Sequence, residues 1–313
     1  MVTNPSSSIK HAIVTGATGI VGIPLCEELV RRGINVTAVS RTVRSIADLD
    51  GVDHVQADVT DFESLRSVAS NCDVIFHVAA AVHGSASTYE QFHAANVVGT
   101  ENAVRLAEVM GAKLVYVSSV NVAGYKNGQL RDDYARTKSE AEDSVLNATN
   151  AGGVNAVVVR PATVFGNKPG RAGLLVDRLL NGSLRVLPVP LRNISPVWSG
   201  DLAKAMVAAA ENSATGKIYT VAGPTVATGD FVNEVAEAAE ISRPITSIPG
   251  WILVVLIQIA WWLRPVTRTT PPLSVESIRS HSIHDGALAS EELGFDYTPI
   301  HKIFGRDSNP SGN

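Results

Sequence analysis

The sequence contains little cysteine, few aromatic residues and no run of basic residues. Its two cysteines, Cys26 and Cys72, have neither the spacing of a metal site nor the number needed for a disulfide framework. Both lie in apolar contexts, which is typical of small core residues in a reducing cytosol. The 26 Lys and Arg residues are outnumbered by 30 Asp and Glu residues, which argues against nucleic acid as a partner. We therefore expect an ordinary globular protein without a metal centre.

Long apolar runs are also missing, apart from one segment of intermediate length. The segment from Trp251 to Leu263 is apolar at every position except Gln258. As a helix it would be about 20 Å long, too short for a bilayer core of roughly 30 Å. Because such a helix would be apolar all round, three roles are open. It could cover an apolar pocket, make a peripheral membrane contact, or belong to the core or a dimer contact. Residues 1–8 are polar and lack the apolar core of a signal peptide, so we expect a cytoplasmic protein with membrane association through this segment at most.

Strand-like and helix-like segments alternate over the first half of the chain. Such alternation is typical of a parallel sheet with helices on both faces. After Phe165-Gly166 the alternation gives way to loops rich in Pro and Gly. We predict a Rossmann-type α/β fold with a doubly wound parallel sheet over residues 1–166. A smaller, partly interleaved substrate lobe would cover residues 167–305, followed by a disordered tail over residues 306–313. The predicted strands are residues 12–15, 35–40, 54–57, 74–78, 114–117 and 156–159.

A glycine-rich turn follows directly after the first predicted strand. Its three glycines would let the backbone turn tightly, approach a pyrophosphate and pack a helix against a strand. The following helix would offer its free N–H groups and its positive dipole end to the phosphates. The alternative is a glycine turn that holds no nucleotide. We predict that a dinucleotide contacts Gly16, Thr18, Gly19, Ile20, Val21 and Gly22.

The end of the second predicted strand favours NADP over NAD. NAD-binding versions of this turn place an Asp or Glu there for the ribose hydroxyls. Here the strand ends in Ser40-Arg41, Arg44 follows, and Asp48 is the first acidic residue. A guanidinium matches a 2′-phosphate, although Arg41 could instead stack on the adenine. Asp58-Val59, after the third strand, would flank the adenine.

Three side chains suited to proton transfer come later in the sheet region. Ser118-Ser119 ends an apolar run, and Tyr134 stands four residues before Lys138. One helical turn separates Tyr134 from Lys138, so both project toward the same face. Tyrosine normally ionises at about pH 10, and a neighbouring ammonium favours the phenolate. We predict that Ser119 binds a substrate oxygen, that Tyr134 exchanges a proton with it, and that Lys138 holds the nicotinamide ribose.

These motifs together resemble the extended short-chain dehydrogenase/reductases, and the resemblance covers roughly residues 10–300. It includes residues 75–80 (IFHVAA), 96–100 (NVVGT) and 160–166 (RPATVFG). In such proteins the chain after the fourth strand lines the cofactor and the chain after the sixth passes near the nicotinamide. The resemblance implies that His77 and His83 are structural, and that Asn96 supports the active site. It implies cofactor contacts at Ala79, Ala80, Asn96, Ser118, Tyr134, Lys138, Pro161, Ala162 and Val164.

Two branches of that family are distinguished by a few positions. Sugar-nucleotide epimerases usually carry an Asn where this chain has Ala162, and an Arg diphosphate anchor for which Arg192 is the candidate here. The Arg-Pro-Ala-Thr-Val sequence resembles the 3β-hydroxysteroid dehydrogenase and dihydroflavonol reductase branch, as do residues 271–277 and 290–295. An apolar segment such as 251–263 occurs in the corresponding region there too.

The resemblance predicts an NAD(P)-dependent dehydrogenase or reductase acting on a bulky apolar substrate, steroid-like or flavonoid-like. NADP is the preferred coenzyme and NAD the second choice. One alternative is a sugar-nucleotide epimerase or dehydratase with tightly bound NAD. Another is a non-catalytic dinucleotide-binding protein. A homodimer through the helices near residues 89–110 and 134–148 is a family expectation.

Overall fold

The computed structural model describes residues 9–42, 51–68, 71–168, 172–189, 193–241, 246–249 and 283–305, together with Ile252, Val255 and Gln258. Arg44, Arg192, residues 271–277 and the tail from 306 to 313 lie outside the described residues. So does segment 251–263, apart from those three isolated positions. In the part of the chain that is described, no helix is both long and apolar enough to cross a membrane.

Strands and helices alternate from the start of the described chain. The strands are β1 (His11–Thr15), β2 (Asn35–Ser40), β3 (Val52–Gln56), β4 (Val74–His77), β5 (Lys113–Val117), β6 (Ala156–Pro161), β7 (Thr163–Phe165), β8 (Val186–Val189), β9 (Asn193–Ile194), β10 (Pro196–Trp198), β11 (Ile218–Val221), β12 (Val226–Ala227) and β13 (Thr246–Pro249). The helices are α1 (Gly22–Arg31), α2 (Phe62–Ser67), α3 (Tyr89–His93), a π-helix (Ala94–Val98), α4 (Gly99–Met110), α5 (Asn121–Lys126), α6 (Asp133–Asn150), α7 (Leu174–Leu180), α8 (Ser199–Asn212), α9 (Thr228–Ala238), α10 (Ala287–Leu293) and α11 (Ile300–Phe304).

Seven strands form one parallel sheet in the order β11-β6-β5-β4-β1-β2-β3. The central strands are apolar on both faces because helices cover both sides of a sheet of this kind. After β3 the chain returns past β1 to form β4, so the strand order reverses between these two neighbours. Ligands bind at the carboxyl ends of the strands beside such a reversal. The predicted Rossmann-type fold is confirmed.

The helices pack their apolar faces against this sheet. In α1 the buried positions include Ile23, Leu25, Cys26 and Leu29, which recur at helical spacing. The predicted helix over residues 89–110 is divided into three, because the hydrogen bonding widens to a π-helix at Ala94–Val98. The helix then ends at Gly111, whose φ of 64° suits glycine.

The chain divides into two compact units. Of the described residues, those within Met1–Ala162, Ser199–Val221 and Gly286–Asp296 form the sheet unit. Those within Thr163–Trp198, Ala222–Asp285 and Tyr297–Asn313 form the smaller unit. The sequence analysis predicted a partly interleaved lobe over residues 167–305, and within that range β11 pairs with β6 and so extends the large sheet.

The smaller unit is built from short strand pairs and helices. β7 pairs with β10, β9 with β12, and β8 with β13. Its core includes Phe165, Val176, Leu179, Phe231 and Val235. Phe165 meets Phe231 edge-on, with ring centroids 5.1 Å apart.

Candidate active site

The glycine-rich turn after β1 is a cradle that side chains would fill. Gly16 has a φ of 68°, and a Cβ there would lie 2.7 Å from the backbone of Ala79. A Cβ on the buried Gly22 would lie 2.6 Å from the Cα of Ala17 and closer still to the carbonyl oxygen of Gly16. Gly19, by contrast, is exposed. Two glycines therefore close the turn, and the third leaves its backbone open to a ligand.

The N-terminus of α1 points out of this turn without a protein cap. Val21 at the N-cap makes no side-chain hydrogen bond, and the first turn carries no acidic residue. The N–H of Ile23 bonds to the carbonyl of Gly19 at 3.2 Å, and the positive end of the helix dipole favours an anionic group there. Thr18 and Ile20 are half-buried in the turn itself. The geometry fits a dinucleotide pyrophosphate.

The chain after β4 is fixed beneath this cradle by a line of buried hydrogen bonds. The backbone N–H of Ala79 donates to the hydroxyl of Thr15 at 3.3 Å. That hydroxyl lies 2.9 Å from Nδ1 of His77, and Nε2 of His77 lies 3.1 Å from the hydroxyl of Thr100. Burial, aided by the charge of Lys138, lowers the pKa of His77 to about 3. His77 is therefore a neutral structural residue, while the adjoining Ala80 is exposed beside the turn.

Asn96 lies on the π-helix and has no accessible surface. Its amide oxygen accepts from the N–H of Ala81 at 2.7 Å. Its amide nitrogen donates to the carbonyl of Ala81 at 3.2 Å and to the hydroxyl of Thr137 at 3.1 Å. The sequence analysis also assigned Asn96 to the cofactor contacts; in this structure its amide is fully buried and bonded to Ala81 and Thr137. It acts on the site by joining the chain after β4 to α6.

The remaining predicted cofactor residues are dispersed. Ser118 and Pro161 are buried at the ends of β5 and β6, Ala162 is half-buried, and Val164 belongs to the smaller unit. Arg41 is exposed at the end of β2. The Asp58 carboxylate accepts from the backbone and the hydroxyl of Thr60, both at 2.9 Å. Both bonds end on Oδ1 of the half-buried Asp58, and Val59 is buried.

The three predicted catalytic residues come from β5 and α6. Ser119 follows β5, and its hydroxyl accepts from the N–H of Asn121 at 3.2 Å. Tyr134 and Lys138 lie in the first two turns of α6, whose N-cap Asp132 accepts from the N–H of Ala135 at 2.9 Å. This cap fixes the start of the helix, and therefore the position of Tyr134.

The phenol of Tyr134 is surrounded by groups that keep it protonated. Burial raises its pKa above the ordinary value of 10, a hydrogen bond from Ser119 works in the opposite direction, and the charge of Asp132 raises it further. The ring also contacts His83 and Phe92, at centroid distances of 5.5 Å and 6.2 Å. The expected phenolate is therefore not the resting form in this structure.

Lys138 explains the difference, because its amine is directed elsewhere. Its Nζ donates to the carbonyl of Val117 at 2.6 Å and lies 4.5 Å above the ring of Tyr116. Burial lowers the pKa of Lys138 to about 7, although the charge of Glu142 raises it in part. The Lys138 amine is thus bonded to the backbone of β5, and its charge is not among the causes that shift the pKa of Tyr134.

The sequence analysis gave no role to Glu142, which lies one turn after Lys138. Its carboxylate is fully buried and receives hydrogen bonds from Ser118 and Arg160. The signal was present, since Tyr134, Lys138 and Glu142 recur every four residues on one face of α6.

Comparison with known proteins places this site in a family. The sequence profile of the NAD dependent epimerase/dehydratase family matches residues 12–222. The chain belongs to this family. The NAD dependence in the family's description agrees with the glycine cradle after β1.

Relatives and solved structures extend this assignment. A 2-alkyl-3-oxoalkanoate reductase of Stenotrophomonas maltophilia is 28% identical over 289 residues, covering 84% of this chain and 86% of that protein. A 3 beta-hydroxysteroid dehydrogenase/Delta 5→4-isomerase of Mycobacterium tuberculosis is 26% identical over 323 residues, covering 93% of this chain and 87% of that protein. The crystal structure of the Bordetella bronchiseptica enzyme WbmH in complex with NAD+ matches with a TM-score of 0.71. Its sequence is 20% identical, and the match covers 96% of this chain and 98% of that one. The extended short-chain dehydrogenase/reductase resemblance is confirmed, and the chain is an enzyme of this family.

Proposed function

We propose that this family member transfers a hydride between a nicotinamide coenzyme, preferably NADP, and the carbinol or ketone carbon of a bulky apolar substrate. The observation that carries the proposal is the placement of Ser119, after β5, close enough to Tyr134 on α6 for its side chain to lower the pKa of the phenol. Two hydroxyl groups, one from each element, therefore lie beside each other. Two donors converging on one oxygen are what a carbonyl undergoing reduction requires.

The protonation state of Tyr134 matches the form that ketone reduction requires. Because the pKa of Tyr134 is raised, its hydroxyl carries the proton that a newly formed alkoxide needs. Ser119 would orient the carbonyl oxygen, and Lys138 would hold the nicotinamide ribose. The nicotinamide, when bound, supplies or accepts the hydride. The ratio of reduced to oxidised coenzyme would set the net direction of the reaction.

The preference for NADP rests on Arg41. Its side chain is exposed at the end of β2, the strand whose end faces the adenosine ribose in this fold. No acidic residue occupies that strand end, and a guanidinium pairs well with a 2′-phosphate.

The substrate class rests on the relatives and on composition. The names of the two relatives above specify an alkyl-substituted oxoalkanoate and a hydroxysteroid, that is, a keto or hydroxyl carbon on a hydrocarbon framework. Segment 251–263 supplies apolar surface suited to covering such a skeleton or to contacting a membrane surface, since burying apolar area contributes about 25 cal/mol per Å². An apolar ketone is therefore the substrate class that we propose.

Coenzyme absorbance tests the proposal directly. NADPH and NADH would be offered with 2-alkyl-3-oxoalkanoates, steroid ketones, flavonoids and aromatic ketones. We expect turnover with at least one class, and Tyr134→Phe should lower kcat by about 10²- to 10⁴-fold because the proton donor is lost. Tyr89→Phe is the matched control, since its hydroxyl only reaches Glu140 at 3.0 Å.

Two results would contradict the proposal. One is equal turnover in Tyr134→Phe and in the wild type. The other is tight NAD binding with no net coenzyme consumption on any ketone, together with conversion of a nucleotide sugar, which would favour the epimerase alternative.

A further inference from the structure

A fully buried carboxylate lies behind the candidate catalytic residues. Oε2 of Glu142 accepts from the hydroxyl of Ser118 at 2.7 Å and from Nε of Arg160 at 2.8 Å. Oε1 accepts from Nη2 of Arg160, and Nζ of Lys126 lies 3.5 Å away. Burial works against ionisation of Glu142, but the hydrogen bonds from Arg160 and Ser118 leave its pKa lowered. Glu142 is therefore a charged group inside the sheet unit.

Its partners stand immediately beside functional positions. Ser118 precedes Ser119 at the end of β5, and Arg160 precedes Pro161 at the end of β6. The carbonyl of Pro161 in turn accepts from the N–H of Val120 at 3.2 Å. One carboxylate on α6 thus joins the ends of two neighbouring strands to the helix that carries Tyr134.

Glu142 also acts on the buried amine of Lys138, which lies one turn earlier on α6. The groups around that amine are the carbonyl of Val117 and ring of Tyr116 on β5, and His77 on β4, which is neutral. Tyr134, also on α6, is a protonated phenol. Of these neighbours, Glu142 alone supplies a negative charge. A buried ammonium needs such a charge, because burial without one favours the neutral amine.

We propose that Glu142 is a positioning residue for the reaction proposed above: through its hydrogen bonds with Ser118 and Arg160 it sets Ser119 against Tyr134, and its buried charge acts on the amine of Lys138, one turn earlier on α6. The two effects are separable. Removing the hydroxyl of Ser118 breaks the first link and leaves the charge in place. Removing the charge of Glu142 affects both.

Four variants distinguish these links. Glu142→Gln keeps the size of the side chain and removes its charge. The double variant Glu142→Gln with Arg160→Met also removes the guanidinium that the single variant leaves uncompensated, and so guards against a folding failure. Ser118→Ala tests the link to Ser119. Lys126→Met is the matched control, because that amine is 41% exposed, donates to Asp143 at 2.7 Å and lies 3.5 Å from the Glu142 carboxylate.

The first readout is titration of the Lys138 side-chain NMR signal in the protein without substrate. We expect the pKa of Lys138 to fall by at least about one unit in Glu142→Gln and in the double variant, and to stay unchanged in Ser118→Ala and Lys126→Met. The second readout is phenolate absorbance, with Tyr134→Phe as the reference that assigns the signal. Ser118→Ala should raise the pKa of Tyr134, because the hydrogen bond from Ser119 lowers it.

The activity readout is the pH profile of kcat. In Glu142→Gln the limb that reports Lys138 should move to lower pH, with kcat reduced about 10- to 100-fold and KM little changed, since the residue contacts no substrate. An unchanged Lys138 titration in both charge-removing variants, or an equal change in Lys126→Met, would overturn the inference. A wild type without turnover but with the expected titrations would refute the proposed function and leave the electrostatic link intact.

Discussion

Lys138 lowers the stability of the native state at neutral pH. Its side chain is 2% exposed, and burial takes its pKa from 10.5 to about 7. Between these values the unfolded chain binds a proton that the native chain does not. Stability is therefore full above pH 10.5 and decreases as the pH falls toward 7. A buried lysine with one main carboxylate neighbour costs stability, so such a residue is typical of functional sites rather than of a packed core.

Lys138→Met should therefore stabilise the protein while abolishing turnover. At pH 7 we expect a gain of about 1–4 kcal/mol in the free energy of unfolding, because a methionine of similar volume needs no desolvation. The gain should shrink as the pH rises toward 10.5, where the unfolded lysine is also neutral. Urea unfolding at several pH values measures both effects. Lys126→Met, at a half-exposed position, should show no such pH dependence. A gain in Lys138→Met that does not change with pH would contradict the assigned cause.

At the same scale, part of the site follows from the sequence. Gly16, Gly22, Ser119, Tyr134 and Lys138 were identified from their residue types and from their positions after predicted strands. The direction of the Tyr134 pKa shift could not be predicted from the sequence, because it depends on where the Lys138 amine points. The burial of Asn96 could not be predicted either. An amide that makes three internal hydrogen bonds and an amide that contacts a ligand cannot be distinguished in the sequence.

At the scale of elements, the start of α6 sets the geometry of the phenol. Asp132 caps the helix two residues before Tyr134, and its Oδ1 lies 3.6 Å from Nε2 of His83. The hydrogen bond with Asp132 raises the pKa of His83, while the same Asp132 charge raises the pKa of Tyr134. One side chain therefore acts both as a helix cap and as a source of negative potential at the phenol.

The pair Asp132→Asn and Asp132→Ala separates these two roles. Asparagine caps helices about as well as aspartate, whereas alanine loses the cap at a cost of about 0.5–2 kcal/mol. Both variants remove the charge, so both should lower the pKa of Tyr134 and of His83. Chemical denaturation and phenolate absorbance measure the two effects. If Asp132→Asn lost as much stability as Asp132→Ala, the cap would not be the relevant interaction. If neither variant shifted the titration of Tyr134, the charge of Asp132 would not be the cause of the raised Tyr134 pKa.

The elements themselves were predictable to different degrees. All six predicted strands exist, with ends that differ by at most two residues, because each is a short run of β-formers between turn signals; β3 alone of the six has no buried residue. The interruption at Ala94–Val98 was not foreseen, since a single π-helical turn changes the apolar spacing by only about one residue. Strands of two to four residues, such as β7, β9 and β12, are too short to show an alternating pattern.

At the scale of the molecule, the order of the chain matters more than any single motif. The glycine turn, the chain after β4 and Ser119 follow three strands that are neighbours in the sheet, in the order β1, β4, β5. They therefore reach the same edge although more than one hundred residues separate the first from the last. A coenzyme bound along that edge contacts segments that are otherwise joined only through the sheet, so it should stabilise the sheet unit as a whole.

Thermal unfolding in the presence of coenzyme tests this coupling and the role of Arg41 together. A coenzyme at 100 times its Kd should stabilise the native state by about 2.7 kcal/mol, which raises Tm by several degrees. We expect NADPH to act at lower concentration than NADH. In Arg41→Asp the NADPH curve should move to about 10- to 100-fold higher concentration, because a charge-assisted phosphate contact becomes a repulsion, while the NADH curve moves little.

Arg66→Asp, a change at an exposed position on α2, is the control for net charge. Equal shifts of both curves in Arg41→Asp would mean that Arg41 contacts a part common to the two coenzymes, such as the adenine ring, and that the strand end does not select NADP.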